Sequence, residues 1–114
     1  MPPRPPLDIL HLIDSAGMAG GERYLLDLVR YSGPPFRHRV VLYRPGPLEE
    51  MLEQEGIAVT RIPMTGRFSL SALSRVRRIL CRERIPILHS HGYRSNLLGR
   101  LAGIGTAARQ IVTV

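Results

Sequence analysis

The chain has 114 residues and a net charge of +7, long enough for one small domain with a core of its own. Apolar residues make up 44% and charged residues 22%, an ordinary globular balance, and no apolar run is long enough to cross a bilayer as a helix. All sixteen basic residues are arginine, and the single cysteine, Cys81, excludes an internal disulfide and sets a reducing, cytoplasmic location as the expectation.

The start, Met1-Pro2-Pro3-Arg4-Pro5-Pro6, lacks the apolar core of a signal peptide. It reads as a stiff, disordered lead-in, with the domain proper at residues 7–114. Leu7 to Ile13 is a short apolar run that suits a central strand covered on both faces. A glycine loop follows, Asp14 to Gly21, holding Gly17, Gly20 and Gly21. A helix then opens at Glu22, whose charge suits the positive helix end. Leu25, Leu26, Leu28 and Val29 form its apolar stripe, and Gly33-Pro34-Pro35 stops it after Tyr31. Arg39 to Tyr43 is the second strand. Leu48 to Glu55 is a short acidic helix closed by Gly56, and Ile57 to Ile62 is the third strand. Met64 to Phe68 is a loop. Ser69 or Ser71 caps the next helix, which places Leu70, Leu73, Val76, Ile79 and Leu80 on one face and arginines on the other. Pro86 breaks that helix, and Ile87 to Ser90 is the fourth strand. His91-Gly92-Tyr93-Arg94 forms a second loop, with a helix from about Ser95, and Gln110 to Val114 is the fifth strand.

Strands alternating with helices imply an α/β fold: a Rossmann-like parallel sheet of about five strands flanked by helices, with right-handed crossovers. The last strand ends on Ile111-Val112-Thr113-Val114 with nothing after it. An apolar strand left as an edge is a hazard, so the chain is expected to be an incomplete piece of a longer enzyme.

Both loops join the carboxyl end of a strand to the amino end of a helix. In open parallel sheets anionic ligands bind there, against unpaired helix N–H groups. The glycine spacing is not G-x-G-x-x-G, and Tyr43-Arg44 ends the second strand in place of an acid, so a dinucleotide site is not expected. His89 and His91 lie two apart on a strand and face the same side, as paired metal ligands do. His11 and His38 are distant in sequence and Cys81 falls on a core-type helix, so no third ligand is evident and no metal is expected. His89 reads as a buried, hydrogen-bonded histidine, and His91, beside Gly92 at the strand tip, as functional. Tyr93, Arg94 and Asn96 either offer hydrogen bonds to sugar hydroxyls or phosphates, or cap the helix and face solvent. Asp14 likewise binds a hydroxyl or caps its turn. Cys81 among apolar neighbours is a poor setting for a thiolate, and no serine sits in a nucleophile elbow. The positive balance suits an anionic partner. Specific nucleic-acid binding is not expected, because Arg75, Arg77, Arg78, Arg82 and Arg84 crowd one helix without interleaved aromatics.

Four segments carry a family resemblance. Ala19-Gly20-Gly21-Glu22-Arg23 is similar to a Gly-Gly-Ala-Glu-Arg signature, and Leu25-Leu26-Asp27-Leu28 follows it as expected. Ile87-Leu88-His89-Ser90-His91-Gly92-Tyr93 resembles a strand with two histidines. Ser95-Asn96-Leu97-Leu98-Gly99-Arg100-Leu101-Ala102 and Ile111-Val112-Thr113-Val114 continue the likeness, which runs from about Ile9 to Val114. Together these segments resemble the amino-terminal domain of a family 4 glycosyltransferase of the GT-B fold. Ala19 and Gly21 depart from the signature, and Pro86 stands where an Asp often precedes the strand.

The resemblance implies transfer of a sugar from a nucleoside-diphosphate sugar to an acceptor, with retained anomeric configuration and no required metal or other cofactor. It implies that Gly20 and Gly21 meet the donor diphosphate and that His91 is catalytic. Asp14, Gly92, Tyr93, Arg94 and Asn96 then face the acceptor or the transferred sugar. The implied partners are a nucleotide sugar, a sugar or lipid-linked acceptor, and a carboxyl-terminal GT-B domain without which the piece is inactive. Peripheral contact with the inner membrane face and a place in cell-envelope polysaccharide synthesis also follow from the likeness. The residues alone leave two other readings: a stand-alone phosphate- or nucleotide-binding Rossmann-like module, and a basic interaction protein for RNA or membranes.

Overall fold

The computed structural model of the protein describes residues 5–14, 20–64 and 69–113. Met1 to Arg4, Gly17 and Ala19 of the first loop, positions 65–68 after the third strand, and Val114 lie outside the described residues. The elements are β1 (Leu7–Ile13), α1 (Gly20–Tyr31), β2 (Phe36–Leu42), α2 (Pro47–Gln54), β3 (Ala58–Arg61), α3 (Leu70–Arg82), β4 (Ile87–His91), α4 (Tyr93–Ala102) and β5 (Arg109–Thr113). The strands form one parallel sheet in the order β3-β2-β1-β4-β5. β1 is central because its run of apolar residues can be buried on both faces.

Alternation along the strands divides the interior into two cores. Leu10, Leu12, Val41 and Leu88 face α3 and α4, where they meet Ala72, Val76, Leu80, Leu98 and Ala102. Ile13, Val40 and Leu42 face α1 and α2, where they meet Leu25, Leu26, Leu48 and Leu52. Each leucine buried in this way contributes about 1.5–3 kcal/mol.

Local chemistry sets the element ends. Ser69 caps α3, its Oγ accepting from the Ala72 N–H at 3.2 Å. Gly56 follows α2 at φ 76°, a left-handed position that glycine adopts without penalty. α3 ends at Arg82, four residues before Pro86, and the chain turns through Arg84 at φ 51°. β2 starts three residues earlier than its apolar run suggests, since the backbone of Phe36 to His38 already pairs with β1.

Gly99 allows α4 to lie close on the sheet. A Cβ there would stand 2.8 Å from Gln110 Nε2 and 3.2 Å from Leu88 Cδ2. The Gln110 amide donates to Ser90 Oγ and to the Asn96 carbonyl, each at 3.1 Å, and so ties β5 to β4 and α4. Gly99→Val is expected to lower stability by about 1–3 kcal/mol, because overpacking at this contact outweighs any gain in helix propensity. Denaturant unfolding of the variant checks this; an unchanged midpoint contradicts the close approach.

Candidate functional site

β1 and β4 are neighbours, and Ile13 pairs with His91 at their carboxyl ends. The first turn of α1 and the first turn of α4 therefore open onto one shared rim. α1 starts at Gly20 and not at Glu22, so Gly20 and Gly21 belong to its first turn, where N–H groups lack helical partners. Both glycines are exposed, and no described atom lies within 4 Å of a Cβ built on either. Glu22 follows them, only 4% exposed. α4 likewise starts at Tyr93, two residues before the expected helix. The reason lies in β4, whose ladder with Ile13 and Thr113 holds His91 inside the strand. Gly92 alone then makes the turn, at φ 91°, and its carbonyl accepts the first helical bond from the Asn96 N–H.

The side chains of the rim lock the two strand ends together. Arg94 Nη1 stands 3.1 Å from Asp14 Oδ1, and Arg94 Nη2 donates to the Met64 carbonyl at 3.2 Å. The guanidinium carbon lies 5.9 Å from the Tyr43 ring centre, a cation–π distance. Tyr43 and Ser95 share a buried hydroxyl–hydroxyl bond of 2.9 Å, and burial pushes the Tyr43 phenol up to about 12. Ser90 Oγ donates to Asn96 Oδ1 at 2.8 Å. Arg94 and Asn96 are thus held by internal partners, whereas Tyr93 is 96% exposed. Among the described residues, His91 Nδ1 and Arg94 Nε are buried side-chain polar atoms without a hydrogen-bond partner, whereas Asp14 Oδ1 has its ion pair with Arg94. Both lie at this rim, the kind of residual demand that a polar ligand meets.

Beside the rim, sheet register gathers all four histidines. His11 pairs with His89, His91 with Ile13, and His38 with Ile9, so all four side chains share the α1 face. His11 Nδ1 lies 3.2 Å from His91 Nε2, and His11 Nε2 lies 2.9 Å from His38 Nδ1. His38 Nε2 accepts from or donates to Ser32 Oγ at 2.6 Å, and His89 Nε2 meets Thr113 Oγ1 at 2.7 Å. The His89 and His91 rings lie with centres 4.0 Å apart, tilted by 35°, and Tyr24 of α1 stands 6.1 Å from His91. His89 is buried and hydrogen-bonded, as its sequence setting suggests. One ring nitrogen from each of His11, His89 and His91 lies within 4.8 Å of the others. The third imidazole, invisible as a neighbour in sequence, comes from β1.

Burial keeps these rings neutral. It pushes His91 down to about 3 and His11 well below the ordinary histidine value, with repulsion between neighbouring imidazoles adding to both. Burial lowers His38 and His89 as well. Cys81, expected among apolar neighbours, is exposed instead, because it sits one step around α3 from buried Leu80. A cleft of about 480 Å3 lies at the amino end of the sheet beside Ser32, Phe36 and Ile57; no residue of the rim lines it.

The glycosyl transferase 4-like domain matches residues 19–114. The chain belongs to that family. Solved structures share its fold. A glycosyltransferase from Rickettsia africae superposes with a TM-score of 0.79 at 17% identity, over 96% of this chain and 30% of its own. Anabaena Alr3699/HepE in complex with UDP gives 0.72 at 20% identity, over 93% of this chain and 29% of its own. Acinetobacter baumannii MurG gives 0.65 at 14% identity, over 94% and 35%. No curated protein matches the sequence. The chain spans about 30% of the length of the Rickettsia glycosyltransferase that it resembles.

Two expectations test the site's geometry. The unfolded chain protonates His91 near pH 6.5, and the folded chain does so only near 3. Stability from its burial is thus complete above about pH 6.5 and is lost as pH falls toward 3, by about 1.4 kcal/mol per pH unit for this residue. Thermal unfolding at pH 7.5 and pH 5 is expected to show a falling Tm; a constant Tm contradicts a neutral buried ring. Tyr43→Phe leaves the Ser95 hydroxyl buried without its partner and is expected to cost about 1–3 kcal/mol, read as a lower urea midpoint.

Proposed function

We propose that the chain is the acceptor-side, amino-terminal domain of a longer glycosyltransferase, which moves a sugar from a nucleoside-diphosphate sugar to an acceptor with retained configuration. The observation that carries this reading is the rim itself. Among the described residues, His91 Nδ1 and Arg94 Nε are buried without hydrogen-bond partners, next to the Asp14–Arg94 ion pair and a helix start where no described atom crowds Gly20 or Gly21. The family match and the shared fold of Anabaena Alr3699/HepE, solved with UDP, support it.

In this reading the first-turn N–H groups of Gly20 and Gly21 face the diphosphate. Negative charge grows there as the anomeric carbon–oxygen bond breaks, and preorganised N–H donors stabilise it without calling on a metal. The acceptor oxygen bonds to the same face of the sugar, and its proton leaves with the diphosphate. His91 presents Nδ1 to a hydroxyl of the acceptor or the transferred sugar. Its depressed basicity makes it a hydrogen-bonding group and not a store for the proton at neutral pH. Asp14, Gly92, Arg94 and Asn96 shape the surrounding wall, with Tyr93 reaching outward. The second domain closes over this rim, and the isolated piece has little activity alone. The exposed arginines of α3, Arg75, Arg78 and Arg82, suit an acceptor carried at an anionic inner membrane face.

A second reading rests on the same open helix start: a stand-alone module that binds phosphate or a nucleotide. Calorimetry of the 114-residue chain with UDP separates the two, since binding tighter than about 10 μM without a second domain favours the module. The main reading is tested in the full-length protein. Gly20→Val places side-chain carbons in the open space and is expected to lower kcat by about 100-fold with an unchanged Tm. Turnover equal to that of the parent enzyme sinks this role.

A further inference from the structure

We propose that His11, His89 and His91 form a site for one zinc-class divalent cation. The inference stands on this chain's own residues and does not depend on the glycosyl-transfer reading.

Three observations converge. The first is ligand spacing. His89 and His91 lie two apart on one strand face, and His11 comes in from the adjacent strand. One nitrogen from each lies within 4.8 Å of the others, and His11 Nδ1 stands 3.2 Å from His91 Nε2. Two nitrogens on a tetrahedral zinc, each at 2.0–2.1 Å, are separated by about 3.3 Å. The spacing that serves a hydrogen bond between two imidazoles is thus also the spacing of two ligands, with the metal replacing the shared proton.

The second observation is the outer shell. A ligating histidine usually anchors its other ring nitrogen to a second group, which fixes its tautomer and aim. His11 Nε2 is held by His38 Nδ1 at 2.9 Å, and His38 in turn by Ser32 Oγ at 2.6 Å. His89 Nε2 is held by Thr113 Oγ1 at 2.7 Å. Both anchors leave Nδ1 as the coordinating atom of their ring.

The third is burial. His11, His89 and His91 are all at most 7% exposed, so the site is shielded from bulk water. Three imidazole ligands select a borderline cation such as zinc or cobalt over magnesium or calcium. Three histidine ligands leave the fourth position for water or a small anion.

The test uses the untagged, metal-stripped chain. Dialysis against micromolar zinc followed by elemental analysis is expected to give one ion per chain. Cobalt is expected to give the intense visible bands of a four-coordinate site. The imidazole nitrogen resonances of His11, His89 and His91 should shift on adding zinc, which reports on the parent chain without any substitution. His11→Gln, His89→Gln and His91→Gln are each expected to weaken zinc binding more than 100-fold, and His38→Gln, in the outer shell, about 10- to 100-fold. Cys81→Ser should retain full binding. Less than half an ion per chain, imidazole resonances that do not move, or binding lost with Cys81 would each overturn the site.

Discussion

Parallel pairing of β1 with β2 on one side and β4 on the other is the constraint from which the rest follows. It sets Ile13 against His91 and so brings two helix starts to one rim. It also sets His11 against His89 and places His38 diagonally behind them. A slip of one residue in β1 would carry His11 to the opposite face, among the leucines that meet α3 and α4. Register is well fixed here because both faces of β1 are buried, and any slip would swap apolar side chains for histidine on each side.

The charge distribution follows the same division between inside and outside. Arginine pairs such as Arg37 with Asp8, Arg61 with Glu49 and Arg30 with Glu55 lie at the surface, where water screens them and each contributes little. They do not hold the domain together; the two apolar cores do. Arg77 differs, since it donates to the carbonyls of Ala102 and Ile104 and so satisfies the end of α4. Apart from Glu22, the buried polar side chains among the described residues are imidazoles and hydroxyls, many of them hydrogen-bonded to one another, which limits the penalty of burying charge.

Much of the architecture was legible in the residues. The apolar runs of Leu7 to Ile13 and Val40 to Leu42, the glycine and proline breaks, and a serine cap at Ser69 or Ser71 locate the elements from the residues alone. The helix starts were less legible. Gly20, Gly21, Tyr93 and Arg94 look like loop residues by composition, and only tertiary pairing of His91 decides that the turn shrinks to Gly92. The histidine cluster was half legible. The two-residue spacing of His89 and His91 announces a shared face, but His11 and His38 join it through strand order, which sequence separation conceals. The interspersed apolar residues did carry one signal: a histidine placed mid-strand at His11 needs a buried partner. Cys81 shows the limit of neighbourhood arguments, since flanking apolar residues say little about which way a helical side chain turns.

His91 ends a strand hydrogen-bonded on both sides, and this has a consequence for motion. Lids and turns that open and close over a ligand do not carry such a residue with them. Its ring is an immobile post, fixed before any ligand arrives, and the entropy of ordering it is already spent at folding. Adaptation to differently shaped ligands therefore falls to Gly92 and the solvent-facing Tyr93, one step farther along the chain.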